Sequence, residues 1–454
     1  MNSAFHPLRA FLIIFCICCT GVAFAQTTDI SPYSRYGIGD LQAQNSVLNF
    51  SMGGTGIAYH NDASTPFFIN LKNPASYAYG FIPIDDSTGT GGLKMIAFEA
   101  GIQENILNIS SIGQSAKSNN ANFSYAALNI PVSRHVGLAM GIVPVSTEGY
   151  NINTNPYIDS DGVPSKTTTV LNNYQGTGGI SKIFIGTAYA PWKNLSFGAN
   201  LSYLFGNLTN TESVDFNNTN FFNTLKAENI GVHSFAADFG LMYTFTIKNK
   251  KDAQKNWYVT LGATVAPSAN LTANYNVLTV TQSASGSNID TLQDSGAVGK
   301  IRIPIMYGAG ITIKKGDQWT FSFDYTVQNW AQFSYFGENE NLSNTTTYGV
   351  GIQYVPKKDF NRNYAQRIHY RVGYSYSTNY LDLYNTPLKD QSFSVGVGLP
   401  LGNPNPLQYP AVLNIALRVG SMGTTTNNLL KQNYFQIMFG FTFDDHWFDK
   451  RKFN

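Results

Sequence analysis

Between Leu93 and Phe443 the chain is a succession of segments, each about ten residues long, in which apolar and polar side chains alternate. Near the C-terminus Phe435, Ile437, Phe439, Phe441 and Phe443 share one parity, with Gln436, Gly440 and Thr442 on the other. Trp319, Phe321, Phe323, Tyr325 and Val327 repeat the pattern against Thr320, Ser322, Asp324, Thr326 and Gln328. Successive side chains of a strand point to opposite faces, so each segment has one apolar face and one wet face. In a soluble sandwich the wet face is studded with charge. Here it is mostly Gly, Ser, Thr, Asn and Gln, and aromatics crowd the segment ends. That combination predicts an all-β fold, a transmembrane antiparallel β-barrel with lipid outside and a polar lumen inside.

Composition agrees. Charged residues are 12% of the chain, half the ~25% of an average soluble domain. Aromatics reach 14%, as two interfacial girdles would require. A net charge of +2 argues against a nucleic-acid partner. Residues 1–25 read as a secretory signal: Arg9 in the basic region, Ala10 to Cys19 as the apolar core, and Ala23-Phe24-Ala25 as a small-x-small cleavage site. All three cysteines (Cys16, Cys18, Cys19) fall inside it, so the mature chain has no disulfide and no thiolate metal site. The expected address is the outer membrane of a Gram-negative bacterium, where lipid and lipopolysaccharide surround a monomer.

Fourteen candidate strands run from 93–103 to 433–443, an even number as such barrels have. Short links at Ser133-Arg134, 191–194 and 314–317, and slightly longer ones at 248–255, 356–363 and 402–409, alternate with long polar stretches. The latter (104–120, 149–173, 209–231, 271–298, 331–344, 379–390 and 422–432) are expected to be extracellular loops. This organisation gives a barrel over 93–443, an N-terminal segment over 26–92 folded inside or beneath it, and a periplasmic tail over 444–454. Both chain ends are expected in the periplasm.

The N-terminal segment is rich in turn formers. Glycines at Gly53, Gly54 and Gly56 allow close approach to a wall, and Asn73-Pro74 favours a turn. The ordered set Met52-Gly53-Gly54-Thr55-Gly56-Ile57-Ala58, Asp62-Ala63-Ser64-Thr65 and Asn73-Pro74-Ala75-Ser76 resembles the amino-terminal hatch of the FadL family of long-chain fatty-acid transporters. Ser34-Arg35-Tyr36-Gly37-Ile38-Gly39-Asp40 is similar to the variant found in Bacteroidetes members. The resemblance implies that residues 26–92 plug the lumen. It also implies that a hydrophobic ligand leaves sideways where the third strand kinks. The corresponding segment here is Val136-Gly137-Leu138-Ala139-Met140-Gly141-Ile142-Val143-Pro144-Val145. Proline cannot donate to a ladder, so Gly141 and Pro144 mark the candidate lateral opening.

With the apolar parity taken as lipid-facing, Lys182, Asp238, Arg302, Asp324, His369, Arg371 and Arg418 point into the lumen, and Arg302 could pair with Asp324. A charge facing lipid at the midplane costs ~2–4 kcal/mol, which explains the inward parity. These groups line a solvated lumen, anchor the hatch, or bind a carboxylate headgroup, for which the planar fork of arginine is suited. There is no Gly-x-Ser-x-Gly elbow and no His-Glu-x-x-His, so neither an enzyme nor a metal or other cofactor is expected. The reading is passive uptake of hydrophobic small molecules, long-chain fatty acids or aromatic hydrocarbons. The alternative is an accessory barrel of the type IX protein secretion system, the role of the similar PorV-type proteins, with secretion components as partners.

Overall fold

The computed structural model of the chain describes residues 31–61, 68–79, 81–82, 93–154, 170–218, 220–249, 256–283, 285–316, 318–356, 363–401 and 411–446. The leader, Asp62 and the tail from Trp447 onward lie outside the described residues. The long strands are β1 (Leu93–Ser111), β2 (Gln114–Pro131), β3 (Val136–Thr154), β4 (Val170–Trp192), β5 (Leu195–Phe216), β6 (Asn223–Ile247), β7 (Trp257–Ala266), β8 (Ala269–Gln282), β9 (Asn288–Ile303), β10 (Met306–Lys315), β11 (Trp319–Gln328), β12 (Thr345–Tyr354), β13 (His369–Leu383), β14 (Thr386–Pro400), β15 (Val412–Gly423) and β16 (Lys431–His446).

Among the described residues, consecutive strands pair antiparallel, except that β8 pairs with β6 rather than β7 and β9 does not pair with β10. β7 is joined to β10 and β16 returns to β1, so fourteen strands close a ring. β8 and β9 form an additional hairpin beyond the ring, continuing β7 upward and leading down into β10. The alternation that marks the strands also sorts their faces. Along β11, Trp319, Phe321, Phe323 and Tyr325 are exposed to the surroundings, while Thr320, Ser322 and Asp324 are buried. In β16 Phe439 and Phe443 face outward, and Gln436, Met438 and Gly440 face the interior. The apolar coat is the lipid-facing surface expected of a membrane barrel.

Two expectations need correction. Several stretches anticipated as loops are strand: β1 and β2 continue through 104–120 to a turn at Ile112-Gly113, and β5–β6 and β8–β9 do likewise over most of 209–231 and 271–298. Their Asn, Ser and Thr residues blur the alternation because the outward face meets water rather than lipid and need not be apolar, while Leu271, Ala273 and Val277 stay buried on the other face. The first described residue, Ser31, also sits at the long-hairpin end. Its N–H donates to Gly149 O at 2.8 Å, and Gln432 Nε2 donates to its Oγ.

Inside the ring lies the N-terminal segment. A short helix α1 (Val47–Ser51) is capped by Ser46, whose Oγ accepts from Asn49 N–H, and a 3₁₀ turn covers Pro74–Tyr79. Residues of both are almost entirely buried against the inner wall.

Candidate functional site

The hatch is seated by glycines of the wall. A side chain at Gly198 would strike the Pro74–Ala75 backbone, one at Gly262 would strike Ile57 O, and one at Gly373 would strike Gly53 N. Gly53 itself has φ +67°, and a β-carbon there would collide with the carbonyls of Tyr374 and Val350. Backbone therefore lies on backbone, which is what the glycine-rich lumenal parity provides.

Polar groups fix the register. Gly56 and Ile57 N–H donate to Asp324 Oδ2 at 2.7 and 2.9 Å, and Gly53 N–H donates to Ser394 Oγ at 3.1 Å. Arg418 Nη2 donates to Phe50 O at 3.1 Å, with its guanidinium 3.7 Å from the centre of the Phe50 ring. Asn73 Nδ2 donates to Ile57 O at 2.7 Å and approaches Leu241 O and Ala263 O of the wall, while its Oδ1 accepts from Ala75 N–H at 3.0 Å. The Asn-Pro-Ala motif thus closes one turn and ties it to β6 and β7. Gly54 borders open lumen.

The remaining charges divide. Arg371 Nε donates to Gln353 Oε1 and its Nη1 to Asn414 Oδ1, both at 2.8 Å, and Gln353 Nε2 reaches the hatch at Tyr59 OH. His369 is buried one rung below Arg371 on the same face. Lys182 and Asp238 face each other at 3.7 Å, with Asn200 Nδ2 donating to Asp238 at 2.6 Å.

Arg302 is the exception. It is exposed on β9, opposite Asn270 and Ser334, and does not meet Asp324. Its neighbour Ile301 is the buried one, at 0% exposure. Above the lipid the apolar face turns inward, as in a soluble hairpin, and the break at Pro304-Ile305 is where the parity reverses.

Sequence parity missed Glu99, whose carboxylate accepts from Ile69 N–H at 2.9 Å and from Tyr125 OH, which in turn accepts from Val47 N–H. It also missed Lys314, which donates to His60 O at 3.1 Å. Glu99 stands on the parity opposite exposed Phe98 and Ile102, the signal that would have found it.

Above the hatch is a cavity of about 570 Å³. Its floor carries Lys72, Asp324 and Arg418, and the Lys182–Asp238 pair lines its side. Burial lowers the pKa of the Lys72 ammonium below its ordinary value, with Asp324 acting in the opposite sense. Its roof is apolar: Ile38, Leu204, Ile303, Trp330 and Tyr380 belong to, or pack against, one cluster that also holds Leu271, Ile301 and Phe333.

The wall beside the cavity is interrupted. β2 and β3 pair only from Pro131↔Gly137 to Ala126↔Ile142, six pairs, although both strands continue further. Gly141 lies in the next-to-last of these pairs. Pro144 precedes a bulge at Val145 in the β3–β4 ladder, and both residues line the cavity with Phe123 and Ser124 of β2. The edge of β3 left by β2 is occupied from within: Asp40–Leu41 pair with Thr147 and Ser146, and Gln42 N–H donates to Val145 O at 2.9 Å.

A family model described as BamG matches residues 8–454. Among solved structures, the toluene transporter TodX of Pseudomonas putida is 14% identical, with 91% of this chain and 99% of that chain covered and a TM-score of 0.54. A FadL homologue of Pseudomonas aeruginosa is 12% identical, covering 88% and 97%, with a TM-score of 0.53. The monoaromatic hydrocarbon channel CymD is 15% identical, covering 91% and 99%, with a TM-score of 0.50. No curated protein matches the chain in sequence. At these identities the likeness establishes the fold, that of the FadL-type outer-membrane barrel.

Proposed function

The chain belongs to the BamG family, and for this member we propose passive uptake of hydrophobic small molecules across the outer membrane. The observation that carries this reading is the cavity: an apolar roof over a charged floor, beside a wall whose ladder stops at Ile142. An amphiphile such as a long-chain fatty acid fits it, with the alkyl chain against Trp330 and Ile303 and the carboxylate toward Arg418 or Lys182. Its volume falls within the ~300–1,000 Å³ of small-molecule sites. The break at Gly141 and Pro144 is the lateral exit. An apolar solute then passes from lumen to bilayer without full hydration, which would cost about 0.8 kcal/mol per CH₂. Asp40–Leu41 on the β3 edge must shift for passage, and a two-residue pairing is a small barrier. The names of TodX and CymD, a toluene transporter and a monoaromatic hydrocarbon channel, support the same substrate class.

The test is uptake of a labelled long-chain fatty acid or aromatic hydrocarbon at matched surface expression. Pro144→Val restores a ladder donor and Gly141→Trp obstructs the seam, so both are expected to slow uptake. Unchanged uptake in both variants would place the exit elsewhere.

A second reading rests on a different observation. The outer hairpins stand clear of the apolar coat, and Ile289, Leu292 and Val298 of β9 are 50–74% exposed beside a strand edge that is covered, among the described residues, near its lower end by Ser334, Tyr335 and the Phe336 N–H bonded to Lys300 O. Such an edge suits a protein contact, as an accessory barrel of type IX secretion would need. Absence of any apolar-solute uptake by the wild type, together with impaired protein secretion on its deletion, would replace the first reading by this one.

A further inference from the structure

The barrel has a second interruption, on β6. Residues 239–247 of β6 pair with β7 in nine rungs, from Phe239↔Val265 to Ile247↔Trp257, and residues 223–233 pair with β8 from His233↔Thr272 upward. Between them Ser234 to Asp238 have no ladder partner on that side, although they remain paired with Ser202, Leu204 and their neighbours of β5 on the other. Five residues of β6 there face six, 266–271, one of which is Pro267. The extra residue and the missing N–H roll the β7–β8 strand over: Val265 lies on the outward parity, whereas Leu271 and Ala273 are buried. β6 does not roll, with Phe235 and Phe239 outward and Val232 and Met242 inward. The partner hairpin strand breaks in step at Pro304-Ile305, but Gln328 Nε2 to Pro304 O and Asn329 N–H to Ile305 O close that flank. On the β6 flank, Ser234 Oγ to Asn270 O is the hydrogen bond found across the seam among the described residues.

The cavity reaches this seam. Ala236, Ala237 and Asp238 line it from β6, and Val265, Ala266, Pro267 and Ala269 from the facing strand, so residues of both parities border one space. The seam is bounded by small apolar side chains, with one carboxylate already held by Lys182 and Asn200. On its lipid side Phe235 packs against Tyr203, ring centres 5.2 Å apart, the aromatic pair expected at a membrane interface. The β2–β3 ladder stops after six rungs from the short-turn end, and this seam opens after nine, about 10 Å further along the strands.

We propose that the seam between β6 and the β7–β8 strand is a second lateral portal, through which an alkyl chain lying in the outer leaflet reaches the lumenal cavity. The inference rests on the uptake reading above and supplies what that reading lacks, a way in. The mouth of the barrel is roofed by Leu271, Ile301, Trp330, Phe333 and Leu429, so an apolar solute meets the lumen more directly through the wall.

The experiment uses the full chain in proteoliposomes with palmitate carrying a diazirine in its chain. Labelled residues are mapped by mass spectrometry with and without excess plain palmitate. Label at 234–238 and 265–271 that plain palmitate displaces, together with displaceable label in the lumen, is the expected result. Ala237→Trp should fill the seam from the lipid side and reduce that label at least about tenfold, while label around Phe123 and Pro144 persists. Ala266→Leu is a second, gentler filling, and both are checked for heat-modifiable migration as folded barrels. Displaceable label confined to the lumen and the β2–β3 break would overturn the portal and leave uptake standing. Seam label that excess palmitate does not displace would be bulk-lipid contact and would overturn it too. No displaceable label anywhere would overturn the uptake reading and the portal with it.

Discussion

The same strands behave differently below and above the floor of the cavity. Below, the lumenal parity is glycine, alanine and isolated polar groups, with a few larger apolar side chains such as Phe184 and Met438, because another backbone lies against it and must be hydrogen-bonded. Above, the inward face is Leu204, Leu208, Ile230, Val232, Leu271 and Ile301, closing on itself as an apolar cluster. Lipid dictates the outer face of the first region and water that of the second. One barrel wall therefore carries two inside-out relations: polar-in within the membrane and apolar-in above it.

Removing the hatch should expose the contrast most strongly. Deletion of 52–76 should leave a barrel that inserts, since each strand pairs with its neighbours, but converts a silent protein into one that conducts small ions in planar bilayers. A deletion protein as silent as the intact chain would sink the plug. Next in size is Gly198→Val. Its side chain would meet the Pro74–Ala75 backbone, which cannot swing aside, and overpacking of this kind costs about 1–3 kcal/mol or more. Intermittent conductance and faster proteolysis of the hatch are expected. Gly231→Val, in the outer region where Asn207 Oδ1 at 3.8 Å is the nearest atom, should show neither.

Asp324→Ala comes third. It leaves the N–H groups of Gly56 and Ile57 buried without their acceptor, about 1–3 kcal/mol for each group. Asp324→Asn retains an oxygen and should fall between wild type and alanine in hatch protection against protease. Equal protection in all three proteins would mean that the glycine contacts alone hold the segment.

The strand number and the face of each membrane segment were legible because lipid imposes one rule on every strand. Phe435 to Phe443 could not have been read otherwise. The turns of the N-terminal segment were legible because Gly53 and Asn73-Pro74 carry backbone requirements that few other residues meet. Where the rule lapsed, so did the reading. The polar runs of 104–120 and 271–298 are strands whose outward face is wet rather than lipid-facing, and they resemble loops in composition. Arg302 was misplaced because the parity was carried upward through Pro304, where the strand rolls over. Glu99 and Lys314 were legible in parity, but their partners are hatch backbone groups, and backbone leaves no mark in sequence. The seam on β6 was hidden for a related reason: Pro267 is visible, but a missing pairing belongs to two strands at once.

The smallest effect tests whether charge matters equally in both regions. Arg35, near the start of the hatch, approaches Glu212 of β5 at 3.5 Å in the outer region, and both side chains are about 40% exposed. Arg418 holds the hatch from the floor, where its guanidinium covers Phe50 and bonds its carbonyl. An exposed ion pair is screened by water and salt and contributes a median of about 0–1 kcal/mol. Arg35→Ala is therefore expected to leave hatch protection and conductance within error of wild type at physiological salt, with any loss at low salt alone. Arg418→Ala deprives a buried carbonyl of its donor and a ring of its cover, and should loosen the hatch at every salt concentration. Equal salt-independent loosening by the two substitutions would mean that the outer segment 31–42, rather than the floor, fixes the plug.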